Sequence, residues 1–184
     1  MAYFPDLGRL TYFRDHLGPL TAVGWLAAGH EFTRREVTPA FFERLFELLL
    51  DPWQPSRFLG SQGCDFCWAE PEFLELLAAL RSANHPAPVH AALAPMRRRW
   101  SRLTMGGRRI LMGINNLFVP GEGCIYGSPS MIAHYIEAHG YAPPEEFIAA
   151  VLRCPDMRSE AYRNFCIANG GERLVRGWPG PARS

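Results

Sequence analysis

The 184 residues carry 19 basic and 18 acidic side chains, a net charge of +1; every basic one is arginine, and without lysine there is no Schiff-base amine, no lysine-held pyridoxal phosphate and no Walker A lysine. At 20.7 kDa, with 48% apolar residues, 17 glycines and 16 prolines, the chain suits one loop-rich globular domain, able to bury roughly 70% of its unfolded surface without help from a metal. Met1 to Asp6 form no charged or apolar leader and no run of about 18 apolar residues follows, so the expectation is a soluble cytoplasmic protein with no membrane partner, and its five cysteines suggest metal binding or buried thiols rather than a disulfide framework.

In chain order, residues 20–26 read as a short strand, with Thr11-Tyr12-Phe13 as its pairing partner. Thr38 as N-cap and Pro39 at the first helical position open a helix whose apolar face runs from Phe41 to Leu49, and Asp51-Pro52 ends it. Pro71 to Arg81 repeats the helical pattern, with Glu70, Glu72 and Glu75 suited to its N-terminal dipole. Residues 92–103 suggest a basic helix. Leu117-Phe118-Val119 and Cys124-Ile125-Tyr126 flank a Pro-Gly-Glu-Gly turn and predict a β-hairpin. Ser128 and Pro129 then look like the cap and first residue of a helix closed by Gly140. Pro143-Pro144 starts another, with Phe147, Ile148, Val151 and Leu152 inward, and Ser159 caps the last, which stops at Asn169-Gly170-Gly171. The expected class is α+β: mostly helical, with a small antiparallel sheet, in a single domain over 1–169 with an arginine-rich insertion at about 82–109 and a flexible tail over 170–184.

Charge is unevenly spread. Residues 76–121 hold seven arginines and no acid, leaving −6 on the rest of the chain. Arg97, Arg98, Arg99, Trp100, Arg102, Arg108 and Arg109 are candidates for a binding surface: nucleic acid through phosphate neutralisation and base stacking, or a protein partner or second copy through charge.

Cys64 and Cys67 form a C-x2-C pair, whose two thiolates can leave one backbone knuckle and hold one tetrahedral ion. His134 and His139, five apart, fall in the range that Cys2His2 sites use, provided that the last helical turn tightens toward 3₁₀ geometry. Together the four predict a zinc-finger-like structural Zn²⁺ site with a closed shell; Cys124 is the substitute ligand, and Cys154 and Cys166 are expected in the core. A spacer of 66 residues between Cys67 and His134 separates this from a DNA-reading finger. The leading function is a zinc-stabilised, non-enzymatic binding or adaptor domain. Three alternatives stand beside it: nucleic-acid binding through the arginines, thiol redox chemistry at the cysteine pair, and zinc-dependent hydrolysis should water replace one ligand, with His30 or Glu31 nearby. His30-Glu31 lacks the second histidine of a zincin, and no G-x-S-x-G elbow occurs.

Tyr3-Phe4-Pro5-Asp6-Leu7, Gly24-Trp25-Leu26, Gly29-His30-Glu31-Phe32, the cysteine pair, Phe118-Val119-Pro120-Gly121, Ile132-Ala133-His134-Tyr135-Ile136 and His139-Gly140-Tyr141-Ala142-Pro143-Pro144 together resemble an uncharacterised bacterial domain family of small hypothetical proteins. The likeness covers roughly residues 1–70 and 115–152. It implies no activity. Members of that family often carry a histidine just before the cysteine pair, where this chain has Ser61-Gln62-Gly63.

Overall fold

The computed structural model describes residues 2–13, 16–55, 62–82 and 101–180. Along the chain these form β1 (Thr21–Ala22), α1 (Pro39–Leu50), α2 (Asp65–Trp68), α3 (Pro71–Ser82), β2 (Arg102–Met105), β3 (Arg108–Leu111), β4 (Asn116–Gly121), β5 (Cys124–Pro129), α4 (Ile132–His139), α5 (Glu145–Arg153) and α6 (Glu160–Ala168). The class is α+β. No helix among the described residues is long and apolar enough to cross a membrane.

The predicted hairpin is the centre of the fold. β4 and β5 pair antiparallel from Asn116↔Pro129 to Gly121↔Cys124, and Gly123 at φ 69° supplies the left-handed turn residue. Every residue of β4 is buried. β1 adds to the other edge of β5 in parallel, giving the order β1-β5-β4. The strand expected over 20–26 is therefore only two residues long, because Gly24 at φ 72° turns the chain away. Thr11–Phe13 do not pair with it; a single bridge joins Arg9 to Thr21. Trp25 then reaches back, its Nε1 donating to the Gly127 carbonyl at 2.8 Å. A Cβ at Gly127 would lie 2.5 Å from Leu10 Cδ2, so a larger residue there would require the Leu10 side chain to shift.

The first long helix forms as its sequence dictates. Thr38 Oγ1 accepts the Phe41 N–H at 3.3 Å, and Phe41, Leu45, Phe46, Leu48 and Leu49 are buried on one face. After it, Asp51 takes a two-pronged contact from Arg158, at 2.6 and 2.7 Å. Ser159 caps α6 as expected, accepting from Tyr162 N–H at 3.2 Å. Leu152, expected inward on α5, is instead 48% exposed, while Ala150 takes the buried position.

Two local signals are overridden. Ser128 and Pro129 do not open a helix: they are the last residues of β5, because the ladder to β4 continues through Leu117↔Ser128 and Asn116↔Pro129. α4 starts only after Met131, with no side-chain cap. Of the expected basic helix over 92–103, Ser101 is helical, Arg102-Leu103 are instead the start of β2, and residues 92–100 lie outside the described residues. Gly106 and Gly107, at φ 56° and 74°, form a two-residue turn with both centres left-handed, the geometry that joins tightly twisted antiparallel strands. The tail expected from Gly170 begins inside the body: Leu174 and Val175 are buried, and Trp53 Nε1 donates to the Leu174 carbonyl at 3.1 Å.

The N-terminal motif is tied to the end of α4 by one carboxylate. Asp6 accepts from the Gly24 N–H at 2.9 Å and from the Tyr141 hydroxyl at 2.9 and 3.0 Å. Burial pushes the Asp6 carboxyl up, and the Gly24 and Tyr141 donors pull it back only in part. Its folded value lies above the ordinary 3.8, so this contribution to stability is fully present below that value and is lost as pH rises through the folded one. At neutral pH the carboxylate leans on its two donors. Tyr141→Phe should therefore cost about 1.5–3 kcal/mol there, the range for a hydrogen bond to a charged group. The cost should be smaller below the carboxylate range. Urea midpoints at the two pH values measure it, and equal losses at both would contradict this role for the hydroxyl.

Candidate metal centre

Cys64 is the N-cap of α2: its backbone is extended (φ −88°, ψ 114°) and its Sγ accepts the Cys67 N–H at 3.5 Å. One helical turn thus sets both sulfurs on the same side. Burial is nearly complete, at 0% exposure for Cys64 and 3% for Cys67.

The two histidines arrive on α4. His134 is buried at 1% exposure, and His139 is the last helical residue. The expected tightening toward 3₁₀ geometry does not occur: α-helix continues through His139, and Gly140 at φ 66° ends it in the left-handed conformation. The N–H groups of Gly140 and Tyr141 both turn back to the Tyr135 carbonyl, so the helix opens wider at its end instead of tightening. The His134 and His139 rings meet edge to face with centroids 5.1 Å apart.

The four side chains converge. One ligand atom from each of Cys64, Cys67, His134 and His139 can be chosen so that all lie within 4.8 Å of one another. Nε2 of His139 is 3.2 Å from Cys64 Sγ and 3.4 Å from Cys67 Sγ, and Nε2 of His134 is 3.3 Å from Cys67 Sγ. A tetrahedral ion with metal–sulfur bonds of about 2.3 Å and metal–nitrogen bonds of about 2.05 Å would hold sulfur and nitrogen about 3.6 Å apart. The observed separations are within a few tenths of that edge. Donor set, spacing and burial fit a metal ion.

An aromatic wall closes one side: Phe66 lies against His139, Tyr135 and Phe32, at centroid distances of 5.2, 5.9 and 5.4 Å. Burial pushes the Cys64 thiol up, against the opposing pull of the Cys67 N–H. A directly bound cation would offset that cost by taking the thiolate.

A backbone strut, which the sequence reading missed, joins the two halves. Gln62 donates its N–H to the Gly113 carbonyl at 2.7 Å, and Gly113 donates to Ser130 Oγ at 2.9 Å. Ser130 is two residues before α4, so the cysteine knuckle and the histidine helix share one connection through Gly113. The usable signal was a glycine directly after the apolar run Ile110-Leu111-Met112, a mark of close backbone approach.

Cys124, the substitute ligand, does not join the cluster; it is half-buried at the start of β5. Cys154 and Cys166 are buried as expected, and desolvation pushes both thiols up to about 12. In metal-loaded native protein a thiol reagent at mildly alkaline pH should therefore modify Cys124 rapidly and leave the other four until chelator and denaturant are added. Two fast thiols would show the Cys64–Cys67 pair unprotected. His30, offered for a hydrolytic site, is outside the cluster and stacks on Tyr3 at 3.6 Å; Glu31 is outside it too. Of the basic candidates, Arg102, Arg108 and Arg109 lie on β2 and β3, whereas Arg97, Arg98, Arg99 and Trp100 lie outside the described residues.

The chain belongs to the DUF7919 family, a domain of unknown function, whose family model matches residues 2–152. This is an uncharacterised domain family, as the motifs imply. The matched span includes the arginine-rich window. No curated protein and no solved structure matches the chain.

Proposed function

We propose that this DUF7919 member is a zinc-stabilised binding domain with no catalytic role for its metal: Cys64, Cys67, His134 and His139 hold one Zn²⁺ and fasten the knuckle to α4. The observation that carries the reading is the approach of four ligand atoms to within 4.8 Å from two segments far apart in the chain. A two-sulfur, two-nitrogen set in a tetrahedral arrangement selects zinc among common divalent ions. Four protein ligands leave no coordination position for water or substrate, which argues for a structural ion and against hydrolysis. Two thiolates committed to a metal are likewise withdrawn from disulfide exchange. The chemistry that zinc supplies here is cross-linking alone.

Elemental analysis of full-length protein purified without added metal is the direct test. About one zinc per chain is expected, with cobalt substitution giving the intense visible bands of a tetrahedral site with thiolate ligands. A preparation that carries no transition metal and binds none on dialysis would sink the reading.

A further inference from the structure

Among the described residues, the β2 edge of the β2–β3 ribbon pairs with no further strand, and it faces α4. In its register Leu103 pairs with Ile110 and Met105 with Arg108, and the Met112 N–H donates to the Ser101 carbonyl at 2.9 Å. Odd-numbered residues of β2 thus exchange their hydrogen bonds with β3, and the N–H and C=O groups of Arg102 and Thr104 point the other way. Among the described residues these groups meet no protein partner.

What they face is a cleft of about 430 Å³, inside the range of roughly 300–1,000 Å³ typical of binding sites. Arg102, Leu103 and Thr104 form one wall, three consecutive residues as befits a strand edge. His134, Glu137 and Ala138 form the other, spaced as one face of α4. Strand edge on one side and helix on the other is the geometry in which an extended peptide adds to a sheet.

Side-chain direction defines what such a peptide would carry. Leu103 and Ile110 are buried on the inner face of the ribbon, while Arg102, Thr104 and Arg109 are exposed on the outer one. None of Arg102, Arg108 and Arg109 forms an ion pair among the described residues. An added strand would therefore present acids outward beside Arg102 and apolar side chains inward beside Leu103. A polynucleotide fits less well, because it has no alternating N–H and C=O groups to pair with the backbone of Arg102 and Thr104.

We propose that the cleft between β2 and α4 binds an extended acidic–apolar segment of a partner protein by strand addition to β2. The proposal deepens the metal-stabilised reading and rests on it, since His134 is both a ligand and part of the cleft wall. The test uses zinc-loaded full-length protein and a fluorescein-labelled decapeptide of alternating glutamate and valine, followed by anisotropy. Saturable binding is expected, weakened about tenfold or more by N-methylation of the peptide residues that face β2, by exchange of glutamate for lysine, and by Arg102→Glu. Thr104→Pro, which deletes an outward N–H, should do the same. Both variants must keep the wild-type melting curve and zinc content. In cobalt-loaded protein, peptide should shift the visible bands through His134.

Equal binding of the N-methylated peptide would overturn strand addition. No saturable peptide binding, or retention of single-stranded oligouridine alone, would overturn the proposal as a whole. Metal content read on the same samples separates the two readings. Peptide binding by protein that holds no metal would keep the cleft and remove the zinc, whereas one zinc per chain without peptide binding would do the reverse.

Discussion

Cys67→Ser is expected to abolish metal retention and lower the melting temperature by about 8–16 °C. The figure follows from mass action: an ion present at a thousandfold over its dissociation constant stabilises the native state by about 4.1 kcal/mol. In a domain of this size each kcal/mol moves the midpoint by about 2–4 °C. Serine keeps the shape of cysteine, so little of the loss comes from a cavity. His134→Ala should fall further, because it also empties a site that is 1% exposed. Chelator should lower the wild-type midpoint by the same amount and leave Cys67→Ser unmoved. A wild-type curve indifferent to chelator would remove the metal from the stability of the fold.

The loss should be regional. Most of the apolar core, from Trp25 through Phe41 and Phe46 to Phe118, Phe147 and Tyr162, is buried at or below 1% exposure and contributes no residue to the cluster. What a bound ion would hold is the knuckle, with α2 and α3 that follow it. Hydrogen exchange should accelerate first at residues 62–75 in metal-free protein, while β4, β5 and α1 keep their protection.

Local chemistry in the sequence was sufficient for the parts of the fold that local chemistry decides. Thr38-Pro39 and Ser159 begin helices because their side-chain oxygens and missing N–H satisfy a helix start without outside help. The C-x2-C and H-x4-H spacings identified all four residues of the cluster, since each pair is set by one turn of backbone. Ser128-Pro129 carried an equally good helix-start signal and was overruled, because six rungs of ladder to β4 outweigh one cap. The parallel pairing of β1 with β5, about a hundred residues apart, leaves no local trace in two residues of strand. Gly106-Gly107 did leave one, outside the expected helix over 92–103, and it was not read as a turn: both glycines take positive φ, and Arg102, Arg108 and Arg109 around them alternate between the two faces of a ribbon.

For Arg102, strand in place of the expected helix alters what the side chain can do. On the helix it would have joined a broad solvated cationic face. On β2 and β3, Arg102 and Arg109 share one face and sit beside a row of backbone donors and acceptors, so charge and directional hydrogen bonding act at the same edge. The Cys2His2 cluster lies behind that edge, through His134. A structural ion would then also set the depth and rigidity of the cleft, because the α4 wall is anchored by its two histidines.

Gly113→Ala is the substitution that tests this coupling between strut and metal. Gly113 has φ +80°, where an L side chain is strained, and a Cβ there would lie 2.3 Å from the Gln62 carbonyl oxygen. Backbone cannot move aside as a flexible side chain can, so the clash must break the Gln62–Gly113 hydrogen bond, the Gly113–Ser130 contact, or both. The strained backbone alone costs about 1–3 kcal/mol. The consequence that distinguishes this residue from an ordinary core glycine is its reach: separating Gln62 from Ser130 uncouples Cys64 from α4, so metal affinity should fall along with stability, by about 10–100-fold as for outer-shell residues that orient ligands. Gly123→Ala is the matched control, for Gly123 has a similar φ of +69°, no atom within 4 Å of the added carbon and a place in the far hairpin turn. It should lose stability to the backbone strain and keep the wild-type zinc affinity. Competition with a chromophoric chelator measures both proteins, and equal affinities would show that Gly113 supports the fold without positioning the ligands.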